Sequence, residues 1–228
     1  MNDPAAVAII VPVLNEVRVA KTLAVQLATL ADASSAEVVV VDGGSDDGTR
    51  AAIEAAGIKL VAALPGRAAQ MNAGAAATRA GTLLFLHADT ALPVGGVRAV
   101  QEVVSAGADW GRFDVRIDGR SRWFPLISGM INWRSRLTGI ATGDQAIFIA
   151  RDVFEALGGF PEQPLMEDIE ISRRLRRRSR PACLREAVST SGRRWDDYGV
   201  WRTVWLMWRL RFAYWRGVPA EQLATYYA

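Results

Sequence analysis

The sequence predicts an α/β fold: a mostly parallel sheet flanked by helices, with a helical, Arg- and Trp-rich C-terminal extension. Two patterns favour the sheet, namely short apolar runs typical of strands buried on both faces and helical periodicity between those runs. Strands that alternate with helices of this length form right-handed βαβ units, whose strands lie parallel. With 228 residues, half of them apolar, the chain is long enough to bury a large core.

The first half of the chain gives the clearest elements. We predict strands at 6–13, 38–41, 58–62 and 82–86. We predict helices at 17–30, at 68–80, and from a cap at Asp46 or Asp47 to about Ala56. Gly57 would end that last helix, because glycine accepts the left-handed conformation that follows many helices.

After Pro93 the pattern is looser. We predict helices at 97–105, 152–157, 166–178 and 201–215, and a short strand at 146–150. Residues 110–117 alternate apolar and charged side chains, which predicts a strand at a sheet edge. Residues 122–137 are aromatic and basic and receive no assignment.

Charge is distributed unevenly along the chain. From residue 172 to the end there are 13 arginines and four acids, a net charge of +9, whereas the first 171 residues carry 14 basic and 20 acidic groups, a net charge of −6. A basic tail on an acidic body suggests an anionic partner for the tail, although a solvated charged face would look the same.

Several classes of protein are disfavoured by composition. The N-terminus lacks the basic region of a signal peptide, and no run of eighteen uncharged apolar residues occurs. Cys183 is the only cysteine, which excludes an intrachain disulfide or a cysteine-rich zinc site. We therefore expect a cytoplasmic protein.

Polar side chains appear where the fourth predicted strand ends. Four apolar residues, 83–86, lead into His87 and Asp89, which an extended chain would aim to the same side. A carboxylate at the C-terminal edge of an open α/β sheet lies where ligands usually bind, and it would suit Mg²⁺ with a diphosphate. A strand-end aspartate that caps a turn is the other interpretation, and these residues alone do not choose between the two.

Two more strands end in polar residues on the same edge. The first ends in Pro12-Val-Leu-Asn-Glu16 and the second in Asp42-Gly-Gly-Ser-Asp-Asp-Gly-Thr49. Carboxylates there can accept from a base N–H or a ribose hydroxyl, and the glycines allow close approach of backbone to a ligand. Neither a G-x-G-x-x-G pattern nor a P-loop lysine is present, which disfavours dinucleotide and P-loop sites. A turn with a helix cap explains 45–49 but leaves Asp42 unexplained.

Taken in order, these motifs are similar to those of family 2 glycosyltransferases of the GT-A fold. The similarity adds Gly66-Arg-Ala-Ala-Gln-Met-Asn-Ala-Gly74, Gly143-Asp-Gln145, Gly158-Gly-Phe-Pro161 and Glu167-Asp168, and it spans about residues 7–180. Each motif alone is weak, whereas the ordered set is specific.

The resemblance implies a role for each matched residue. Glu16 and Asp42 would hold the nucleoside, Asp89 would bind Mg²⁺ or Mn²⁺ on the diphosphate, and Asp168 would be the catalytic base. The remaining residues implied to bind substrate or nucleotide are Pro12, Asn15, Gly44, Arg67, Gln70, Asn72, His87, Ala88 and Asp144.

One matched position departs from the family. His87 stands where the family usually has the first aspartate of an Asp-x-Asp triplet. An imidazole supplies one negative charge less and prefers softer cations, so that metal affinity and choice are open at this position.

The tail carries two further features. Arg193-Arg-Trp195 partly resembles the Gln-x-x-Arg-Trp segment of processive members such as cellulose synthases, without the glutamine, and Arg194 or its neighbour would pair with a diphosphate. Four of the eight tryptophans fall in the last predicted helix, on one face with a phenylalanine and among arginines. Such a face suits an anionic membrane interface, and a helix turned to the core is the alternative.

These observations predict an inverting, metal-dependent glycosyltransferase. It would move a sugar from a nucleoside-diphosphate donor, UDP-linked by default, to an acceptor of undetermined identity for which a lipid-linked molecule is one hypothesis. The alternatives are a sugar-nucleotide pyrophosphorylase, a nucleotide-sugar-binding regulatory module without catalysis, and a nucleic-acid binder, which the strand-end motifs disfavour. We expect a domain at 1–185, an extension at 186–228 packed on it or on a membrane, and no nucleic-acid partner.

Overall fold

The structure is a computed structural model that describes residues 6–34 and 36–226, without the side chains of Ala33 and Arg194. Its strands are Val7–Val13 (β1), Glu37–Asp42 (β2), Lys59–Ala62 (β3), Thr82–Phe85 (β4), Thr90–Ala91 (β5), Trp110–Asp118 (β6), Ile147–Ala150 (β7) and Ala182–Ser191 (β8). Its helices are Val17–Ser34 (α1), Thr49–Glu54 (α2), Arg67–Ala76 (α3), Gly96–Ser105 (α4), Phe124–Thr138 (α5), Arg151–Ala156 (α6), Glu167–Arg178 (α7), Arg193–Tyr198 (α8), Val200–Trp215 (α9) and Ala220–Ala224 (α10).

All the strands form one sheet, in the order β3-β2-β1-β4-β7-β6-β8-β5. β1 pairs parallel with β2 and β4, β2 with β3, and β6 with β8, whereas β7 runs antiparallel to both of its neighbours. β5 also pairs antiparallel with β8. The predicted α/β class and mostly parallel sheet are confirmed.

The register brings the polar strand ends together. Val13 pairs with Asp42, and the N–H of Leu86 donates to the carbonyl of Ile10. The C-terminal ends of β1, β2 and β4 therefore meet at one edge of the sheet, as parallel strands require.

Two apolar layers cover the sheet. Along β1 the side chains alternate, so that Ile9 and Val11 face α1 and α4 on one side while Ala8 and Ile10 face α3, α6 and α7 on the other. This alternation buries both faces of the first strands, and it explains why their sequences are continuously apolar.

Residues 110–117 form a strand as predicted, but its predicted place at a sheet edge is wrong. β6 lies inside the sheet because β8 pairs with its second side, from Gly111 to Asp118. β8 was not predicted, since its sequence carries Arg185 and Glu186 in mid-strand and shows no regular alternation of buried positions.

α5 was not predicted either. Its buried residues are Phe124, Ile127, Ser128 and Ser135, while large apolar residues such as Trp133 lie exposed on the opposite face. Because apolar side chains occur on both faces, the sequence lacks the one-sided period that identifies a helix.

Predicted helix ends differ from the structure in α1, α2 and α3. α1 continues to Ser34 and not only to 30. The cap of α2 is Gly48, in the left-handed conformation, and not Asp46 or Asp47. α3 ends at Ala76 and not at 80. The chain that follows is held by Arg151, the first residue of α6, which donates to the carbonyls of Ala75, Thr78 and Ala80.

The last helices pack on the body through two apolar clusters. Leu210 and Leu223 pack against Leu165 and Met166, and Val200 and Val204 pack against the cluster formed by Ile117, Phe124 and Ile127. Among the described residues, no helix has both the length and the apolar character needed to span a bilayer. The predicted boundary at 185/186 falls inside β8, so we propose a boundary after Ser191.

Candidate active site

A cavity of about 530 Å³ opens at the edge of the sheet where β1 and β4 end. Eight of the predicted site residues line it: Pro12, Glu16, Arg67, Gln70, His87, Ala88, Asp89 and Asp144. Ligands of open α/β sheets bind at this edge, and the cavity has the size of a small-molecule site.

The loops after β1 and β2 are joined by hydrogen bonds. Three successive backbone N–H groups of the first loop donate to side chains of the second, and one bond runs back: Asn15 N to Ser45 Oγ at 2.9 Å, Glu16 N to Thr49 Oγ1 at 2.8 Å, Val17 N to Asp47 Oδ2 at 2.9 Å, and Asp46 N to Asn15 Oδ1 at 3.1 Å. Side chains of residues 45–49 thus cap the start of α1, although they lie about 30 residues further along the chain. The same bonds fix the loop that carries Glu16.

Glu16 faces the cavity as a partly buried carboxylate. Burial is the main cause that raises the pKa of Glu16. The charge of Asp89 raises this pKa further, whereas the Arg193 guanidinium lowers it. Arg193 Nη2 lies 3.7 Å from Glu16 Oε2. The start of the C-terminal extension therefore reaches the loop that follows the first strand.

Asp42 is 2% exposed and faces its own loop. Its two carboxylate oxygens accept from the Ser45 N–H at 3.1 and 3.3 Å. Among the described residues that line the cavity, Asp42, Asn15 and Gly44 are not found. Asp42 therefore shapes the turn that the glycines make, and Gly44 supplies a φ of 98° there.

Gln70 and Asn72 both hold backbone groups. Gln70 Nε2 donates to the carbonyls of Val13 and Val41, each at 2.8 Å, and so ties together the ends of β1 and β2. The Asn72 amide exchanges two 2.9 Å bonds with the backbone of Phe160. Gln70 lines the cavity, but Asn72 is not found among the described residues that do.

His87 packs against the short 3₁₀ helix 143–145. Its Nδ1 lies 3.3 Å from Asp144 Oδ1, and a Cβ on Gly143 would lie 2.3 Å from its Nε2. Both ring nitrogens are thus directed at residues 143 and 144, which explains why a glycine is needed beside an imidazole at this position.

Asp89 and Glu16 each supply a carboxylate to the cavity, and they are close enough for the charge of Asp89 to raise the pKa of Glu16. No group of three or more His, Cys, Asp or Glu in the described part of the chain is spaced to hold a metal ion by itself. Mg²⁺ is commonly bound through one or two carboxylates plus substrate phosphates, and the residues at this edge fit that arrangement.

Glu167 and Asp168 form a carboxylate pair in the first turn of α7. Asp168 Oδ2 accepts from the Gly143 N–H at 2.9 Å, and its Oδ1 accepts from the Ile169 N–H at 2.7 Å. Both carboxylates line a small second cavity that shares His87 with the large one. The predicted base and the predicted metal ligand thus border two cavities with a common wall.

Burial perturbs both members of this pair. Burial, and then the charge of Asp168, raises the pKa of Glu167 to about 7, and Arg67 Nη1, 3.9 Å from Glu167 Oε1, opposes the shift. Burial also raises the pKa of Asp168, against the two backbone hydrogen bonds, which lower it. Perturbed carboxylates next to a cavity are typical of functional sites.

Three non-glycine residues of the described chain have positive φ, and each is next in sequence to a residue that lines one of these cavities. They are Asn15 (55°) beside Glu16, Ala146 (46°) after the 143–145 turn, and Met166 (67°) before Glu167. Such conformations cost about 1–3 kcal/mol each and concentrate at functional sites.

The opposite wall of the cavity was not found from the sequence. It is formed by β6, α5, the loop before α7, β8 and the extension: Val115, Ile117, Ile131, Pro164, Leu165, Thr190, Ser191, Arg193, Trp195, Thr203 and Met207. The Arg-Arg-Trp run was the only signal for this wall. Of the two arginines in this run, Arg193 lines the cavity. The side chain of Arg194, the predicted one, lies outside the described part of the structure.

The comparisons with known proteins agree with this architecture. The family model described as "Glycosyl transferase family 2" matches residues 8–158. A search of curated protein sequences gives no significant match.

Solved structures with the same fold include several glycosyltransferases. S. aureus TarS 1-349 with UDP-GlcNAc has a TM-score of 0.64 at 17% identity, over 82% of this chain and 58% of that one. The mannosyltransferase PcManGT from Pyrobaculum calidifontis, with GDP-Man and Mn²⁺, has a TM-score of 0.60 at 21% identity, over 83% and 58%. Glucosyl-3-phosphoglycerate synthase from Mycobacterium tuberculosis, with Mg²⁺ and UDP, has a TM-score of 0.57 at 19% identity, over 80% and 69%. The chain thus spans about three fifths of the first two proteins, and the likeness establishes the GT-A fold.

Proposed function

Because this chain belongs to glycosyl transferase family 2, we propose that it transfers a sugar from a nucleoside-diphosphate donor to a hydroxyl acceptor with inversion at the anomeric carbon. The observation that carries the proposal is the convergence of Glu16, Arg67 and Asp89 on one cavity, beside the adjacent carboxylates of the buried Glu167 and the partly buried Asp168. A UDP-sugar is the donor we favour, as the commonest in this family. The donors in the fold neighbours include both UDP and GDP sugars, so both nucleotides belong in the test.

The first wall of the cavity is the donor side of the proposal. Glu16 would accept from the nucleoside, on a loop held rigid by the bonds to residues 45–49, and Asp42 would form the turn against which the base lies. Arg67 and Arg193 border the same cavity and would neutralise the diphosphate, since guanidinium groups bind phosphates in bidentate fashion.

Asp89 would hold Mg²⁺ or Mn²⁺ together with the donor diphosphate. When bound, such a cation supplies the charge that stabilises the departing diphosphate. His87, whose Nδ1 faces Asp144, would act as a wall that positions Asp144 near the sugar. This assignment leaves a single carboxylate anchor at the position where the family usually has two.

Asp168 would be the general base. Its carboxylate takes the proton of the acceptor hydroxyl as that oxygen attacks the anomeric carbon, and the bond to the diphosphate breaks on the opposite face. The Gly143 and Ile169 N–H groups orient the carboxylate, and its raised pKa makes it a stronger base than an exposed aspartate.

The acceptor would enter along the second wall, past Trp195, Thr203 and Met207. We propose a lipid-linked acceptor, because the helices α5 and α9 that contribute to this wall carry exposed aromatic residues on their outer faces.

A second candidate is a nucleotide-sugar-binding module without catalysis. The observation that favours it is His87, which replaces an acidic residue of the family pattern and turns both ring nitrogens to residues 143 and 144. The two candidates differ in whether bound donor is consumed.

The test is calorimetric titration of UDP and GDP with Mn²⁺ and with EDTA, on wild type and on Asp89→Ala. We expect one nucleotide to bind only with Mn²⁺ and its affinity to fall at least about tenfold in the variant, because the carboxylate anchors the cation. Asp109→Asn, at the opposite edge of the sheet, is the matched control and should bind as wild type. Binding that is insensitive to EDTA would contradict the metal assignment.

Release of nucleotide from the donor sugar then separates the two candidates. Wild type should consume the donor slowly by transfer to water and faster with an acceptor present. Asp168→Asn should show neither reaction. Metal-dependent binding without any consumption of donor would favour the non-catalytic module.

A further inference from the structure

Ten large apolar side chains lie exposed on the outer faces of α5 and α9, and we call this region the aromatic surface. Each of them is between 39% and 73% exposed: Trp123, Leu126, Met130, Trp133 and Leu137 from the α5 region, and Trp201, Trp205, Trp208, Phe212 and Trp215 from α9. Exposed apolar residues in such number on adjacent elements mark an interaction site.

The spacing of these residues puts them on one face of each helix. Successive members are three or four positions apart in both helices, which is the spacing of a single stripe. The opposite faces are occupied, since Phe124 and Ile127 of α5 pack with Val200 and Val204 of α9. Hence the alternative in which the aromatic face of α9 turns to the core is wrong: the structure exposes that face.

The two helices adjoin where the stripes begin. The rings of Trp123 and Trp201 lie 5.4 Å apart in an edge-to-face arrangement. The stripes therefore meet in one surface, and the stripe on α5 comes from a helix that the sequence did not predict.

The two segments that carry the aromatic surface contain positive charges and no acidic residue. Residues 119–138 and 199–218 contain eight arginines and no aspartate or glutamate. Three guanidinium groups lie over rings of the surface, Arg122 over Trp123, Arg209 over Trp205 and Arg216 over Phe212, at 5.4 to 5.9 Å. These arginines are themselves exposed.

This combination selects the partner by charge complementarity. Of the eight arginines, Arg134 is largely buried and Arg136 pairs with Asp114. The surface exposes Arg120, Arg122, Arg202, Arg209 and Arg216, so two copies would bring ten exposed arginines together, which opposes a symmetric dimer through the same face. Tryptophan rings at the depth of the headgroups, with arginines on lipid phosphates, are typical of helices that lie in a membrane interface. Each arginine near an anionic leaflet adds to the attraction.

We propose that the aromatic surface binds the headgroup region of an anionic phospholipid bilayer. The binding needs neither donor nor catalysis, so it can fail or hold separately from the proposed function. Its consequence for substrate does rest on that function: Ile131 of α5 and Thr203 and Met207 of α9 line the large cavity from the inner faces of the same helices. A bilayer on the outer faces would bring membrane-anchored acceptors to the cavity wall.

The experiment is co-sedimentation of the full chain with vesicles of phosphatidylglycerol and phosphatidylcholine, and with vesicles of phosphatidylcholine alone. Wild type should bind the anionic vesicles at about 0.05 M salt, and far less at about 0.5 M salt or on neutral lipid. The double variant Trp133→Ser/Trp208→Ser should bind about tenfold or more weakly, because two interfacial rings are lost.

Two controls make the result specific. Val25→Ser/Val94→Ser removes apolar side chains that are 69% and 104% exposed elsewhere, and it should bind as wild type. Arg202→Gln/Arg209→Gln should lose the preference for anionic lipid while its thermal unfolding midpoint stays close to that of wild type.

Three outcomes would overturn the inference. They are absence of wild-type binding at low salt, equal binding of the tryptophan double variant and wild type, and a lipid-free dimer in sedimentation analysis that the tryptophan double variant converts to a monomer. The salt and lipid comparison uses wild type alone, so the test does not depend on the folding of any variant.

Discussion

Asp168 and Glu167 are adjacent carboxylates with perturbed proton affinity, and their chemistry depends on which of them carries charge. Asp168 accepts two backbone hydrogen bonds, which favour its charged form. Glu167 is 4% exposed, and both this burial and the charge of Asp168 disfavour ionisation of Glu167. The geometry therefore favours Asp168 as the ionised member and Glu167 as the one that holds a proton near neutral pH.

Asp168→Asn should remove the proposed general base and leave the proposed donor site in place. We expect kcat for transfer to fall by about 10² to 10⁴, which is the usual contribution of such a base, while metal-dependent nucleotide binding is retained. Asp152→Asn is the matched control, since Asp152 is an exposed acid in the first turn of α6. Near-normal transfer by Asp168→Asn would refute the assignment of the base.

The pH dependence of transfer follows from the same pair. Because burial raises both pKa values, that of Glu167 to about 7, the pair keeps a proton above the ordinary carboxylate range, and kcat/KM should rise as the pH increases from about 5 to 8. Glu167→Gln should leave the ionisation of Asp168 close to that of wild type, since Glu167 still holds its proton while Asp168 ionises and glutamine is neutral as well. A pH profile that is flat over this range would contradict the shifts.

Stability should depend on pH with the opposite sign. The pKa of Glu167 is raised in the folded state, so its contribution to the free energy of unfolding is fully present below about pH 4.5 and is lost as the pH passes through about 7. Relative to wild type, Glu167→Gln should therefore gain roughly 1 to 3 kcal/mol between pH 5 and pH 8 in urea titrations.

Single residues that line the cavity were predictable where they follow the apolar run of a buried strand. Glu16, His87 and Asp89 follow apolar runs directly, and the structure brings them to one cavity. Asn72 was assigned to the same site through the family resemblance, and the structure engages its amide with the backbone of Phe160. Spacing along a helix does not reveal which amide a distant loop will use.

At the scale of elements, Gln70 is the link between two strand ends. Its Nε2 bonds to the carbonyls of Val13 and Val41 join α3 to β1 and β2 at the edge that carries the site. Gln70→Leu should lower the free energy of unfolding by roughly 1 to 3 kcal/mol, because the carbonyls lose a buried donor. Gln222→Leu, at an exposed position of α10, should change it by at most about 0.5 kcal/mol. Equal effects of the two variants in urea titrations would contradict this role.

The elements that escaped prediction share a physical cause. β8 is a strand whose ladder partners β6 and β5 come from far along the chain, and α5 has apolar residues on both faces. In both cases the tertiary surroundings decide the structure, whereas β1, β2 and β4 are identified by their own continuously apolar sequences.

At the scale of the whole molecule, the C-terminal helices belong to the body that carries the site. Leu210, which is 2% exposed, packs with Leu165 and Met166, directly before the carboxylate pair. Leu210→Ala should lower the free energy of unfolding by about 2 to 5 kcal/mol and reduce transfer. Phe212→Ala, two residues further on and 59% exposed, is the control and should cost at most about 1 kcal/mol. Comparable losses in the two variants would show that the extension is not packed as described.

The two walls of the cavity come from different stretches of the chain. Pro12, Glu16, Arg67, His87 and Asp89 precede residue 158, where the family match ends, and most of the facing wall, from Pro164 to Met207, follows it. The two stretches can therefore diverge at different rates in descent. Under the proposed function, donor preference can then change separately from acceptor preference. An exchange of residues 164–207 between relatives would then redirect the sugar while leaving its nucleotide carrier the same.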